Sequence, residues 1–185
     1  MFLIVNALSV ASTEIESFGE SMVKQIKINL SQKSIQSAIK QIEKYKLDLN
    51  RKCLLLVERL TDKGIKIAKI NVQNLGAFYT GELESSIDGY FSPTLGVGII
   101  YAGSWYSVFI EFGSGIRGEE AQHPLAGELG YVYDVNNHGD EGWVYFNERD
   151  GQYHWTDGMP SRPFMYDTIK ELDSICEKVA KAVFR

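Results

Sequence analysis

Cysteine is nearly absent: the chain has two among 185 residues, Cys53 and Cys176. Neither belongs to a metal-knuckle spacing or a redox CxxC, which excludes a domain stapled by zinc or working by thiol exchange. Both fall where a helix wants an apolar residue and read as free, buried thiols. Basic charge is also short. With 19 Lys and Arg against 24 Asp and Glu the net charge is -5, whereas a nucleic-acid binder needs a concentrated basic surface to neutralise phosphates. Long apolar runs are missing. The best candidate, FLIVNALSVA at the start, is interrupted by Asn6, lacks the positive residues that open a secretory signal, and is too short to cross a bilayer. Residues 1–22 therefore read as an N-terminal arm or strand that serves as a contact element, with no membrane partner. Repeats and low-complexity tracts are absent too.

What is present suits one globular domain over residues 23–185. The chain is 44% hydrophobic and 12% aromatic, enough for a core without staples. Four prolines occur, none between Ile35 and Ile70, where Ile35, Ile39, Ile42, Leu49, Cys53, Leu56, Leu60, Ile67 and Ile70 keep one helical face. This predicts a single long helix with Ser34 as N-cap. At 1.5 Å per residue its span is roughly 54 Å, more than a core of this size covers, so either one end overhangs or Gly64 bends it.

Elsewhere the period is two. VKQIKINL (Val23–Leu30) alternates and reads as a short strand. In TLGVGIIY, Leu95, Val97, Ile99 and Tyr101 share one face and Gly96 and Gly98 the other; in YSVFIEF, Tyr106, Val108, Ile110 and Phe112 share a face. Two antiparallel strands joined around 102–105 follow. WVYFNERDGQYHWT reads as a hairpin turning at Asp150–Gly151. Residues 113–142, rich in Gly, His, Asn and acids, read as a long loop insertion. Arg162 precedes a proline, so Pro163 opens a terminal helix whose stripe is Met165, Ile169, Leu172, Cys176, Val179 and Val183. The fold class predicted is α+β: an antiparallel sheet of about four to five strands with the long helix and the C-terminal helix packed on one face.

Glu111, alone in the apolar YSVFIEFGSG, is the first chemical candidate. As a catalytic acid it needs a second carboxylate or base in reach, and no spacing ties it to Glu119, Glu120, Asp134 or Asp140. Strand alternation sets it opposite the apolar face. The alternative is a structural latch, in which its carboxylate accepts hydrogen bonds from Arg162 or from the free N–H groups that follow Pro163. His123, His138 and His154 show no paired metal spacing and read as solvated loop residues. No nucleophile elbow or phosphate loop is present; Gly113 and Gly115 read as a strand-end turn. Trp105, Trp143, Tyr145, Tyr153 and Trp155 fit core and subunit-interface packing better than stacking on sugars or bases.

Three segments carry a likeness. YTGELESSI (79–87), YAGSWYSVFIEFGSG (101–115) and GMPSRPFMYDTI (158–169), in this order, resemble the TGxLxxSI, YAxxVEFGTG and GMPARPFLxPA segments of the tail-completion, or head–tail joining, minor tail proteins of tailed bacteriophages. Thr80, Gly81, Leu83 and Ile87 match the first; Tyr101, Ala102, Glu111, Phe112, Gly113 and Gly115 the second; Gly158, Pro160, Arg162, Pro163 and Phe164 the third. Departures are Ser114 for Thr, Ser161 for Ala, the longer insertion and the N-terminal arm. The resemblance implies a structural protein without catalysis, cofactor or metal. It implies a homo-oligomeric ring, sixfold to match tail symmetry, whose partners are itself and other tail or neck proteins. Such a protein is made in the host bacterium's cytoplasm, from a phage or prophage, and ends in the virion tail or neck. A ring subunit needs two dissimilar complementary surfaces; the overhanging helix, the N-terminal arm and the 113–142 segment are the candidates. Two competing readings are a small hydrolase or metal enzyme built on Glu111 and the loop histidines, and a glycan-binding module using the tryptophans.

Overall fold

The computed structural model describes residues 2–6 (backbone), 26–76, 81–138, 141–147 and 150–185. The chain is α+β, with a long helix, a C-terminal helix and two small antiparallel sheets. In chain order the elements are β1 (Phe2–Asn6), α1 (Gln32–Asn74), α2 (Glu82–Ser85), β2 (Ile87–Ser92), β3 (Val97–Ala102), α3 (Ser107–Phe112), α4 (Gly115–Glu120), α5 (Ala126–Leu129), β4 (Trp143–Asn147), β5 (Gln152–Thr156), β6 (Gly158–Met159) and α6 (Phe164–Phe184). The strands divide into a three-stranded sheet, ordered β1-β3-β2, and a two-stranded sheet of β4 and β5. One sheet of four or five strands was expected; the two-stranded hairpin instead forms a separate sheet.

α1 is 43 residues, about 65 Å at the usual rise. Its start differs from the expectation by three residues: Ser31, not Ser34, is the N-cap. The Ser31 hydroxyl accepts the Ser34 N–H at 3.3 Å, while the Ser34 hydroxyl accepts the Asn29 N–H at 3.0 Å. That exchange satisfies donors the first turn leaves open. Residues 26–30 form an irregular lead-in, so the described part of VKQIKINL is not a strand; residues 23–25 lie outside the described residues. The first turns of α1 leave Ile35, Ile39 and Ile42 exposed, while Leu56, Val57, Leu60, Ala68 and Val72 are buried.

By contact density the chain forms two compact units. In one, which includes α1 up to Gly64, Gly89–Ile100 and Leu172–Arg185, the core is Leu56, Val57, Leu60, Ile100, Leu172, Val179 and Val183. The buried face of β3 carries Gly98 and Ile100, while the larger Val97 and Ile99 are half-exposed. Helix approach explains this choice. A Cβ on Gly98 would collide with the Thr61 hydroxyl, and one on Gly64 with the Ile100 and Leu172 side chains. Gly64 therefore permits close packing against Ile100 and Leu172. Cys53 and Cys176 are in no disulfide and are only half-buried, and burial pushes the Cys53 thiol up.

The other unit holds Ile65–Asp88 and Tyr101–Glu171. Its core gathers Ala68, Val72, Leu83, Ile87, Ala102, Phe112, Phe164 and Met165. Asn71 donates to the Thr168 hydroxyl at 3.3 Å, and that hydroxyl donates to the Phe164 carbonyl at 2.7 Å, so this polar pair is satisfied inside the core. YSVFIEF is not the second strand of a hairpin. The central strand β3 pairs with β2 on one side, in a turn closed by the Gly96 N–H to the Ser92 carbonyl at 2.8 Å, and with β1 on the other, and Ser107–Phe112 is helix α3. Residues 113–142 are likewise more ordered than a loop, holding α4 and α5.

Candidate functional site

Three glycines and two short helices bring the second and third resembling segments together. In α3, helical spacing buries Ser107, Ile110 and Glu111, together with Phe112 at its end. Glu111 is 0% exposed. The expectation that it faces away from the core fails for one reason: residues four apart, not two apart, share its face.

Gly113, with φ 85°, ends α3 while its N–H still reaches the Phe109 carbonyl at 2.8 Å. It is a helix terminator, not a strand end. A Cβ there would meet Met159 O and Ser161 N at 2.8 Å each, so only glycine lets the two backbones pass. Beyond it Ser114 bridges Met159 and Gly115 bridges Gly158, both antiparallel. Gly115 opens α4, and Gly158, with φ 98°, lies against the Ser114 carbonyl.

The junction is then closed by Glu111. Its Oε2 accepts the Met165 N–H at 2.8 Å and its Oε1 the Tyr166 N–H at 2.9 Å. These are first-turn donors of α6 that have no partner inside the helix, and they lie at the positive end of its dipole. A residue 54 positions away in sequence thus caps the helix. Arg162 contributes differently from the expectation: its backbone N–H donates to the Ile110 carbonyl at 2.8 Å, and its guanidinium is not a partner of Glu111. Pro163 accepts from the Asp167 N–H at 2.9 Å, one residue ahead of the first residue of α6. The Ser161 hydroxyl donates to the Glu111 carbonyl at 2.6 Å.

His123, expected as a solvated loop residue, is buried and completes the site. Its Nδ1 accepts the Leu125 N–H at 3.0 Å, which leaves the proton on Nε2, 3.1 Å from Glu111 Oε1. The carboxylate therefore receives two backbone donors and one imidazole donor. The ring packs 4.2 Å from Phe112 and 5.5 Å from Tyr166. Tyr131 stacks on Phe112 at 4.6 Å and donates its hydroxyl to the Gly113 carbonyl at 2.9 Å, and the Tyr133 hydroxyl accepts the His123 N–H at 3.3 Å.

Burial pushes the Glu111 carboxyl up to about 7, against the pull of the Met165 and Tyr166 N–H groups, with Asp167 adding to the rise. Burial also lowers His123, opposed by Asp167. A pair so enclosed can fix a helix end. It presents no reacting atom at a surface.

The remaining candidates lie apart from this junction. Gly81, with φ 76°, precedes α2, whose Leu83 is buried with the nearby Ile87; Thr80 lies outside the described residues. Tyr101 and Ala102 end β3, Ala102 buried and Tyr101 half-exposed, and Pro160 is half-buried between β6 and α6. Phe164 is buried at the head of α6. His138 pairs with Asp134 at 3.0 Å and stacks on Trp143, and His154 pairs with Asp150 at 2.7 Å. Trp105 and Trp155 are exposed rather than core residues.

Sequence reasoning missed His123, Tyr131, Tyr133 and Ser161. The one available signal was that a buried carboxylate at a helix start needs a donor beyond the backbone; no spacing named which residue supplies it. Set against family models, curated proteins and solved structures, the chain matches none of them.

Proposed function

We propose that this chain is a structural subunit of a tailed phage or prophage: a tail-completion or head–tail joining protein that acts in a ring, without catalysis. The observation that carries the reading is the Glu111 junction. Residues of the second and third resembling segments, Glu111, Gly113, Gly115, Gly158 and Phe164, are spent on joining one segment to the other. Two short segments far apart in sequence thus serve one packing purpose, which supports a structural role for them. Glu111 and His123 have side chains 0% and 1% exposed, which supports a clamp rather than an acid–base pair, since general acid–base chemistry needs hydrogen-bond reach to a substrate.

The finer architecture belongs to the same reading: helices lie on one face of a sheet, with the β4–β5 hairpin added as a contact element. The partners are further copies of the chain, sixfold if the ring follows tail symmetry, and the neighbouring tail or neck proteins. The place is the host cytoplasm during assembly, then the virion tail or neck. No helix among the described residues is long and apolar enough to cross a membrane, in keeping with that setting.

Deleting the gene from the phage or prophage that carries it tests the reading. Electron microscopy of the lysate is expected to show separate heads and tails. Normal yields of joined, infectious particles would overturn it.

A further inference from the structure

β4 and β5 form a hairpin whose two faces differ. The register pairs Val144 with Trp155 and Phe146 with Tyr153 on one face, and Tyr145 with His154 on the other. The first face is largely uncovered among the described residues: Val144 is 61%, Phe146 50%, Tyr153 76% and Trp155 61% exposed. With aromatic side chains of 150–250 Å² each, the uncovered apolar area is roughly 400 Å², about what the largest functional patch of a monomer shows.

A second apolar surface of different shape lies on the first turns of α1. Ile35, Ile39 and Ile42, at one helical face, are 43%, 50% and 53% exposed. The two surfaces have opposite charge. Among the described residues, 27–52 hold seven Lys or Arg against two acids, and 134–157 hold four Asp or Glu and no Lys or Arg. In a chain of net charge -5 this segregation is large. It matches an apolar centre on each side with a rim of complementary sign.

We infer that the aromatic β4–β5 face of one copy docks on the Ile35/Ile39/Ile42 stripe of a second copy, a head-to-tail contact between unlike surfaces. Its head-to-tail sense rests on the ring reading above; its location rests on the two exposed faces and their charges. Such a contact leaves one surface free at each end, so copies add until the ring closes. About 800 Å² per partner is usual for a stable contact, so the hairpin face supplies the apolar centre and the charged rim the remainder. Opposite rims also make the contact salt-sensitive.

Sedimentation velocity on the full chain with two variants, Tyr153→Lys on the hairpin and Ile39→Glu on the helix, tests it. Each variant alone is expected to lose association at least tenfold while keeping the wild-type circular dichroism, and Tyr153→Phe is expected to retain it. Mixed in equal amounts, the two variants are expected to form a dimer and nothing larger, because only one surface pair is intact. In the wild type, association weakens as salt is raised. Rings that survive both substitutions would overturn this surface assignment and leave the ring reading standing. Loss in each variant with no dimer on mixing would show a like-with-like contact and overturn the head-to-tail docking. A wild type that stays a single chain at every concentration would overturn it as well, and the ring reading with it.

Discussion

Glu111 is buried with three hydrogen-bond donors on its carboxylate, and this composition decides how it responds to change. Replacing it with Gln keeps the shape but sets an amide NH2 against a donor, leaving at least one N–H unsatisfied. Glu111→Gln is expected to lower unfolding free energy by about 1–3 kcal/mol, read by urea denaturation. The pH dependence has two opposing parts. Glu111 titrates in the folded chain near 7 rather than 4.5, so its contribution is full below about pH 4.5 and is lost as pH rises through 7. His123 titrates below its ordinary 6.5, so its contribution is present above that pH and is lost on acidification. Between these limits the slopes oppose each other. Denaturation at a series of pH values should therefore show a shallow wild-type profile. In Glu111→Gln, stability should fall on acidification below about 6.5; in His123→Gln, it should rise on acidification through about 7. Parallel slopes in the two variants would contradict the opposite directions in which burial moves the two groups.

At the scale of elements, the close approach of α1 to β3 depends on Gly98. A Cβ there meets the Thr61 hydroxyl, which already donates to the Val57 carbonyl at 2.8 Å and cannot turn away without losing that bond. Gly98→Ala should cost about 1–3 kcal/mol, visible as a lowered Tm. By contrast Ser31→Ala should cost about 1 kcal/mol and reduce helical circular dichroism mainly from the exposed turns of α1. The same elements show what was legible in the sequence. α1 and α6 were, because long apolar stripes at helical spacing have no second reading and because Arg162–Pro163 marks a helix start. The β4–β5 turn was, because Asp150–Gly151 supplies the backbone it needs, with Gly151 at φ 67°. α3 was not: in YSVFIEF the apolar residues satisfy period two through Val108, Ile110 and Phe112, whereas the face that the helix buries carries the polar Ser107 and Glu111 beside Ile110. Six residues cannot separate the two periods. The latch between Glu111 and the α6 start was legible despite that error, because it follows from free N–H groups after Pro163 and not from the strand. Its imidazole donor was not, since His123 is brought in by the α4–α5 path and no local pattern announces that path.

For the whole molecule, stability and the proposed assembly draw on different residues. Glu111, His123 and the glycines at 113, 115 and 158 hold one compact unit together from inside. Exposed apolar residues on the β4–β5 hairpin and on the first turns of α1 face outward and add nothing to that interior. Substitutions in the first group should unfold the chain, and those in the second should leave folding intact and change its mass in solution. The most direct test of the central claim is native mass spectrometry of the purified chain over a wide concentration range. A ring subunit of 20.9 kDa predicts one closed species at a fixed multiple of that mass, six for tail symmetry. A single chain at every concentration would contradict it.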